Sequence, residues 1–139
     1  MSELKELKDL RIIIAGGRDF TDYDFLKQTM KEYFVSLMSR GYNVSKDSFT
    51  IVSGTARGAD KLGEQFALEN GLKLVRFPAN WDIYGKRAGY IRNKEMAKFA
   101  AGGDPHGVLF AFWDGESKGT KHMIDLAGEY GVVVHIKTY

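Results

Sequence analysis

The 139-residue chain contains no cysteine and only two prolines, and its charges nearly cancel: 20 Lys and Arg against 18 Asp and Glu leave a formal net charge of +2. Without cysteine there is no disulfide, no thiolate metal site and no cysteine nucleophile. So small a net charge excludes a general nucleic-acid polycation and leaves room only for a local basic patch. No apolar run approaches the roughly 20 residues that span a bilayer. The segment Met1–Asp9 is charged and lacks the apolar core of a secretion signal. It is read as an N-terminal extension, and a soluble cytoplasmic protein without a membrane partner is expected.

What is present suits one core. Apolar residues make up 44% of the chain, close to the globular average, and the length predicts a single domain over 1–139. The 16 glycines, set against so few prolines, point to tight strand-to-helix turns rather than flexible linkers.

Hydrophobic patterning predicts five strands: Arg11–Ala15, Phe49–Ser53, Lys73–Phe77, Gly107–Phe112 and Val132–Ile136. Between them lie helical stretches. The first carries Phe25, Leu26, Met30, Tyr33, Phe34, Leu37 and Met38 at helical spacing, after a capping box read at Thr21–Asp24 and before a stop at Gly41. Ala59–Glu69, with Leu62, Phe66, Ala67 and Leu68 mostly on one side, about 88–101 and Gly119–Tyr130 read as the others. Residues 79–87 read as a loop. Strands alternating with helices imply an α/β, Rossmann-like domain: a mostly parallel five-stranded sheet with helices on both faces. Ligands of such sheets bind beyond the carboxyl ends of the strands, where strand order reverses.

The unusual residues fall at those ends. Gly16, Gly17, Arg18 and Asp19 follow the first strand. Ser53, Gly54, Thr55, Ala56, Arg57, Gly58, Ala59 and Asp60 follow the second. Trp81 comes after the third. Trp113, Asp114, Gly115, Glu116, Ser117, Lys118, Gly119 and Thr120 follow the fourth. In the Ser53–Asp60 turn, glycines let backbone N–H groups approach an anion, hydroxyls add donors, and the next helix presents its N-terminus. Arg57 adds a charge-assisted contact, and Asp60 would cap the helix or bind a ligand hydroxyl. The plainer reading is a βα turn that needs Gly at positive φ and an acid at the helix start. The Ser117–Thr120 turn repeats the logic, with Ser117 as a simple N-cap on the plainer reading. Arg92 and Asn93 lean toward the body of the protein, and each wants a polar partner, ligand or backbone.

Neither G-x-G-x-x-G nor G-x-x-x-x-G-K-[ST] occurs, so a standard dinucleotide domain or P-loop ATPase is not expected. His106, His122 and His135 have no ligand spacing, so no metal is expected, and no other cofactor.

Five motifs in order carry a resemblance: Gly16-Gly-Arg-Asp-Phe20, Ser53-Gly-Thr-Ala-Arg-Gly-Ala-Asp60, Phe77-Pro-Ala-Asn-Trp-Asp82, Gly89-Tyr-Ile-Arg-Asn93 and Trp113-Asp-Gly-Glu-Ser-Lys-Gly-Thr120. Over residues 10–138 the chain resembles the YspA/YpsA-related branch of the SLOG superfamily, which joins Smf-type DNA-processing proteins with Lonely Guy-type nucleotide hydrolases. The resemblance implies a Rossmann-like fold and a pocket for a nucleotide or nucleotide-derived signal. Its relatives include phosphoribohydrolases, single-strand DNA binders and signal-sensing domains linked to bacterial or phage conflict systems, and they often self-associate, so a homo-oligomer is among the expectations. Two positions depart from the pattern. Met123 stands where the Lonely Guy-type hydrolases carry a catalytic glutamate, and Thr55 stands where relatives often have glycine.

Three functions follow in order of preference. The first is a module that binds or senses a phosphate-bearing nucleotide ligand without turning it over. The second is a hydrolase of an N-glycosidic or phosphate bond, with Asp19, Asp60, Asp114 and Glu116 as acid/base candidates. The third is weak single-stranded DNA binding through Lys86, Arg87, Arg92 and Trp81.

Overall fold

A computed structural model describes residues 3–139; Met1 and Ser2, part of the N-terminal extension, lie outside the described residues. The elements run β1 Lys5–Glu6, β2 Leu10–Gly16, α1 Tyr23–Ser39, β3 Tyr42–Asn43, β4 Phe49–Ser53, α2 Ala59–Asn70, β5 Lys73–Arg76, α3 Trp81–Tyr84, α4 Ala88–Ala101, β6 Val108–Trp113, α5 Lys118–Glu129 and β7 Val133–Thr138. Five strands form one sheet in the order β5-β4-β2-β6-β7. Every pairing in it is parallel, with Ile12 beside both Ile51 and Val108.

Side-chain alternation divides the interior in two. Leu10, Ile12 and Ile14 of β2 join Phe49, Ile51, Phe110 and Phe112 in a layer closed by Leu26 and Met30 of α1 and Phe66 of α2. Ile13 and Ala15 point the other way, with Val52, Leu109 and Ala111, onto Met96 and Ala97 of α4 and Met123 of α5. Both faces of the central strands are buried, so β2 and β6 read as continuous apolar runs rather than alternating ones. The N-terminal segment docks on this body: β1 pairs with β3, and Leu7 is buried in the first layer.

The structure corrects several local expectations. α1 is capped by Asp22, whose carboxylate accepts from the Phe25 amide at 3.0 Å, not by Thr21. The cap sits one residue later because the acid at 22 is the stronger acceptor for that amide. Met38 is 53% exposed and Leu68 67% exposed, so each helix's apolar stripe is narrower than its sequence suggests. Residues 79–87 are not a plain loop. Asn80 caps the single helical turn α3, and a 3₁₀ turn spans Gly85–Arg87. None of their side chains is buried, so hydrophobic spacing carried no signal there. Among the described residues no helix is long and apolar enough to cross a membrane.

Candidate functional site

The chain leaves β2 toward β4 on one side and returns to β6 on the other, so strand order reverses between β2 and β6. A cavity of about 660 Å³ opens there, beyond the carboxyl ends of the strands. Its walls are the turn after β2 (Gly16, Gly17, Arg18, Asp19), the turn into α2 (Ala56, Arg57, Asp60), Trp81 of α3, α4 (Tyr90, Arg92, Asn93, Met96) and the turn into α5 (Asp114, Ser117, Gly119, Thr120, Met123).

The β4–α2 turn is held from outside itself. Ser53 is buried, and its hydroxyl donates to Glu64 at 2.6 Å while accepting from the Thr55 amide at 3.0 Å. Glu64 also receives the Arg76 guanidinium at 2.9 Å. Burial alone would raise this carboxyl, but the bonds from Ser53 and Arg76 outweigh it and hold it below its ordinary value. Thr55 has φ +67°, a left-handed conformation costly for a β-branched residue. Gly58 has φ +75° and ψ −126°, and a Cβ there would lie 2.2 Å from the Gly17 carbonyl oxygen. That carbonyl accepts the Ala59 amide at 3.2 Å, which clamps the start of α2 onto the turn after β2. No side chain caps α2.

Asp60 does not cap its helix. Its carboxylate turns back to accept the Ala56 amide at 3.1 Å. Burial pushes this carboxyl up to about 6; the Ala56 amide, Arg92 and Arg18 oppose the rise, and Glu64 adds to it.

The β6–α5 turn is held mostly by its own residues. Asp114 accepts the amides of Glu116 and Ser117, both at 2.9 Å, and these bonds keep its carboxyl below the ordinary value. Ser117 is the N-cap of α5, with its hydroxyl 3.5 Å from the Thr120 amide and 3.2 Å from the Thr120 hydroxyl. The Trp113 indole donates to the Ser117 carbonyl at 3.0 Å.

Helix α4 joins the two turns. Arg92 donates from one terminal nitrogen to the Gly54 carbonyl and from Nε to the Asn93 side chain at 2.9 Å. Asn93 donates to the Gly119 carbonyl at 3.4 Å and lies 3.2 Å from Nδ1 of His122. Both polar side chains thus find backbone partners, and through them one helix sets the spacing of both turns. At Gly54 a Cβ would lie 2.8 Å from the Asp60 carboxylate and 2.9 Å from Arg92, so a side chain there would have to push one of these groups aside.

Among the described residues, the cavity-lining cations Arg18, Arg57 and Lys86 have no internal partner. Arg18 and Arg57 are exposed, line the cavity, and make no salt bridge among the described residues. Lys86 stands on the same rim. Asp19 is engaged by the Tyr139 hydroxyl, which donates to it at 2.5 Å; burial and this carboxylate both raise the phenol.

Of the residues the sequence singled out, Gly16, Gly17, Arg18, Asp19, Arg57, Asp60, Trp81, Arg92, Asn93, Asp114, Ser117, Gly119 and Thr120 meet at the cavity. Gly54 and Thr55 face a smaller neighbouring cavity. Ser53, Gly58 and Trp113 line neither and instead shape the turns. Glu116 is exposed and outside the lining, whereas Met123, in the position of the hydrolases' glutamate, is part of the wall and 1% exposed. Tyr90, which stacks edge-on against His122 at 4.5 Å, stands in the Gly89–Asn93 motif but is not singled out there as a site residue. Sequence reasoning missed Tyr139, whose role depends on a contact 120 residues away and which stands in no pattern that a linear reading could detect.

Comparison with known proteins places the chain. The profile of the YspA, cpYpsA-related SLOG family matches residues 10–84. The Gene 61 protein of Mycobacterium phage D29 is 32% identical over 131 residues, covering 89% of this chain and 93% of that protein. No solved structure matches.

Proposed function

The chain belongs to the YspA, cpYpsA-related SLOG family, and from that premise we propose that it binds a phosphate-bearing nucleotide or nucleotide-derived signal in the cavity at the strand-order reversal. The observation that carries this reading is the pair of guanidiniums, Arg18 and Arg57, on the cavity wall without internal partners. They stand beside the start of α2, which no side chain caps and whose first amide is taken by the Gly17 carbonyl; the positive end of a helix favours an anion. The three lining carboxylates do not cancel this field equally. Asp19 and Asp114 are engaged by Tyr139 and by turn amides, and Asp60 is pushed toward its neutral form. The cavity's volume lies within the range of about 300–1,000 Å³ usual for small-molecule sites. Trp81 and Tyr90 offer flat faces for a base.

The test is a thermal-shift screen of nucleoside phosphates, followed by titration calorimetry on the best hit with wild type and Arg57→Ala. The variant is expected to keep the unliganded Tm, because the side chain is exposed and unpaired. It is expected to lose about 10- to 150-fold in affinity, the equivalent of roughly 1.5–3 kcal/mol for a charge-assisted bond. Thr120→Val is expected to cost less, since it removes one neutral hydroxyl. An Arg57→Ala protein that unfolds while the ligand still binds would make Arg57 a structural brace.

One observation favours a hydrolytic second reading: Asp60, buried on the cavity wall with a carboxyl near 6, is tuned as a general acid would be. Release of base or phosphate from nucleotide incubations, abolished by Asp60→Asn, would establish it. Glu116 has no such support, because it lies outside the cavity.

A further inference from the structure

A second cavity of about 280 Å³ adjoins the first. Gly54, Thr55, Pro78 and Ala79 line only this smaller space, while Arg18, Arg57, Trp81 and Arg92 border both. The cations that would hold a phosphate therefore stand on a shared wall, with room on either side of them. A mononucleotide seated against that wall would fill one side and leave the other to water.

The wall's chemistry is specific. Arg18 and Arg57 are free to donate in pairs to phosphate oxygens. Arg92 is fixed by Gly54 and Asn93 and so cannot swing away. Trp81 is half exposed, at 52%, with its indole edge toward α4 beside Gly89. Beyond it, the smaller cavity is bounded by a hydroxyl-bearing residue and two rigid or small ones, Thr55, Pro78 and Ala79, a lining suited to a sugar-sized polar group rather than a large apolar one.

We propose that the ligand is two-part: a nucleotide whose phosphate is linked, by a phosphoanhydride or a phosphodiester, to a second group, with the base and ribose in the larger cavity, the phosphate at the Arg18–Arg57 wall, and the second group in the smaller cavity. This rests on the nucleotide-binding reading and extends it. The shared chemistry is a bridging phosphate, which occurs in two forms, a diphosphate joined to a sugar and a phosphodiester joined to a second nucleoside.

The experiment titrates the full chain by calorimetry with three probe types, each in adenine and guanine forms: the mononucleotides AMP and GMP, the diphosphate-linked ADP-ribose and GDP-mannose, and the phosphodiester-linked dinucleotides pApA and pGpG. The same titrations are run on Ala79→Trp and on the milder Ala79→Leu, which fill only the smaller cavity. At least one two-part probe is expected to bind wild type ten times tighter or more than its mononucleotide. Ala79→Trp should erase that gain and leave the mononucleotide's affinity within twofold, and Ala79→Leu should erase part of it. Whether the diphosphate or the dinucleotide probe shows the gain identifies the linkage. Equal binding of mononucleotides and two-part probes, or a gain that survives both substitutions, overturns the two-part site and leaves the nucleotide site standing. Absence of binding by every probe overturns the nucleotide reading, and this proposal with it.

Discussion

The two turns on either side of the cavity share a plan, a strand, a few small or hydroxyl residues and a helix, but they are held in different ways. The β6–α5 turn closes on itself: Asp114 takes two of its amides, Ser117 caps the helix, and Trp113 bonds a carbonyl four residues ahead. The longest of these bonds spans four residues, and the one long-range bond to this turn described above is the donation from Asn93 to the Gly119 carbonyl. The β4–α2 turn depends on distant partners: Ser53 on Glu64 and, through it, Arg76; Gly54 on Arg92; Ala59 on Gly17. It also keeps two costs, a β-branched residue at positive φ and a helix start with no side-chain cap. The β4–α2 turn also uses its own amides, those of Thr55, Ala56 and Ala59, on Ser53, Asp60 and Gly17. What it leaves open is the exposed Arg57 side chain beside a strained backbone, the kind of strain that collects at binding sites. On the proposed function, the anion would sit on the β4–α2 side, where Arg57 stands, with the β6–α5 turn as a wall.

The largest test of this contrast uses the glycines. Gly58→Ala puts a Cβ 2.2 Å from the Gly17 carbonyl oxygen in a backbone conformation reserved for glycine. Its expected cost is more than about 4 kcal/mol by urea unfolding, in the class of severe core defects. Gly119→Ala places a Cβ where nothing lies within 4 Å, inside a helix. It should stabilise the fold by up to about 1 kcal/mol. Equal losses at both positions would mean that the two turns are braced alike.

The second test is electrostatic. Asp60 titrates near 6 in the folded protein against 3.8 for an unperturbed carboxyl, so the folded state holds its proton more tightly than the unfolded state. The stability this confers is fully present below about pH 4 and is lost as pH rises through 6. Its size is at most about 3 kcal/mol. Asp60→Asn cannot titrate. The stability difference between wild type and variant should therefore change by up to that amount from pH 4 to pH 7, in the variant's favour at the higher pH. His122 and His135, whose pKa values burial lowers, titrate in both proteins and cancel. A difference that stays flat with pH would show that Asp60 is not desolvated. An anion beside Asp60 should raise its carboxyl further, so a diphosphate-linked ligand, which does not itself titrate near 6, is expected to bind more tightly as pH falls through that value.

The same contrast accounts for what could be read in the linear sequence. Five strands and the helices between them were legible because Ile12, Ile13 and Ile14, or Leu109, Phe110 and Ala111, are buried on both faces and leave unbroken apolar runs. The Ser117 cap was legible because it is local. The brace from α4 was legible only as a need, since Arg92 and Asn93 sit on a helix that must bury them, while their partners Gly54 and Gly119 lie 38 and 26 residues away. The retreat of the Ser53 hydroxyl to Glu64 had no local signal, and neither had the pairing of Asp19 with Tyr139. The turn of α3 was hidden for a different reason: it fully buries no side chain, so it leaves no apolar pattern, and its visible supports are the Asn80 cap and the Trp81 edge against α4.

The smallest and most discriminating effect belongs to Thr55. On the self-contained turn, Ser117→Ala removes a helix cap and should cost about 0.5–1 kcal/mol, a value set by local geometry. On the braced turn, Thr55→Gly should act in the opposite direction. A β-branched residue at φ +67° carries roughly 1–2 kcal/mol of steric cost, and glycine removes it. Against this, glycine gives the unfolded chain more freedom, which offsets about 0.5–1 kcal/mol. The net expectation is a gain of up to about 1 kcal/mol, read as a small rise in Tm. Its backbone amide would still bond to the Ser53 hydroxyl, so the turn keeps its path. What the variant loses is the side chain facing the smaller cavity. A protein that is more stable yet binds a two-part ligand less tightly would show that the strain at position 55 is kept for the site. A Thr55→Gly protein that is less stable would show instead that the threonine side chain holds the turn, and the division between a braced turn and a self-contained one would fail at its strained residue.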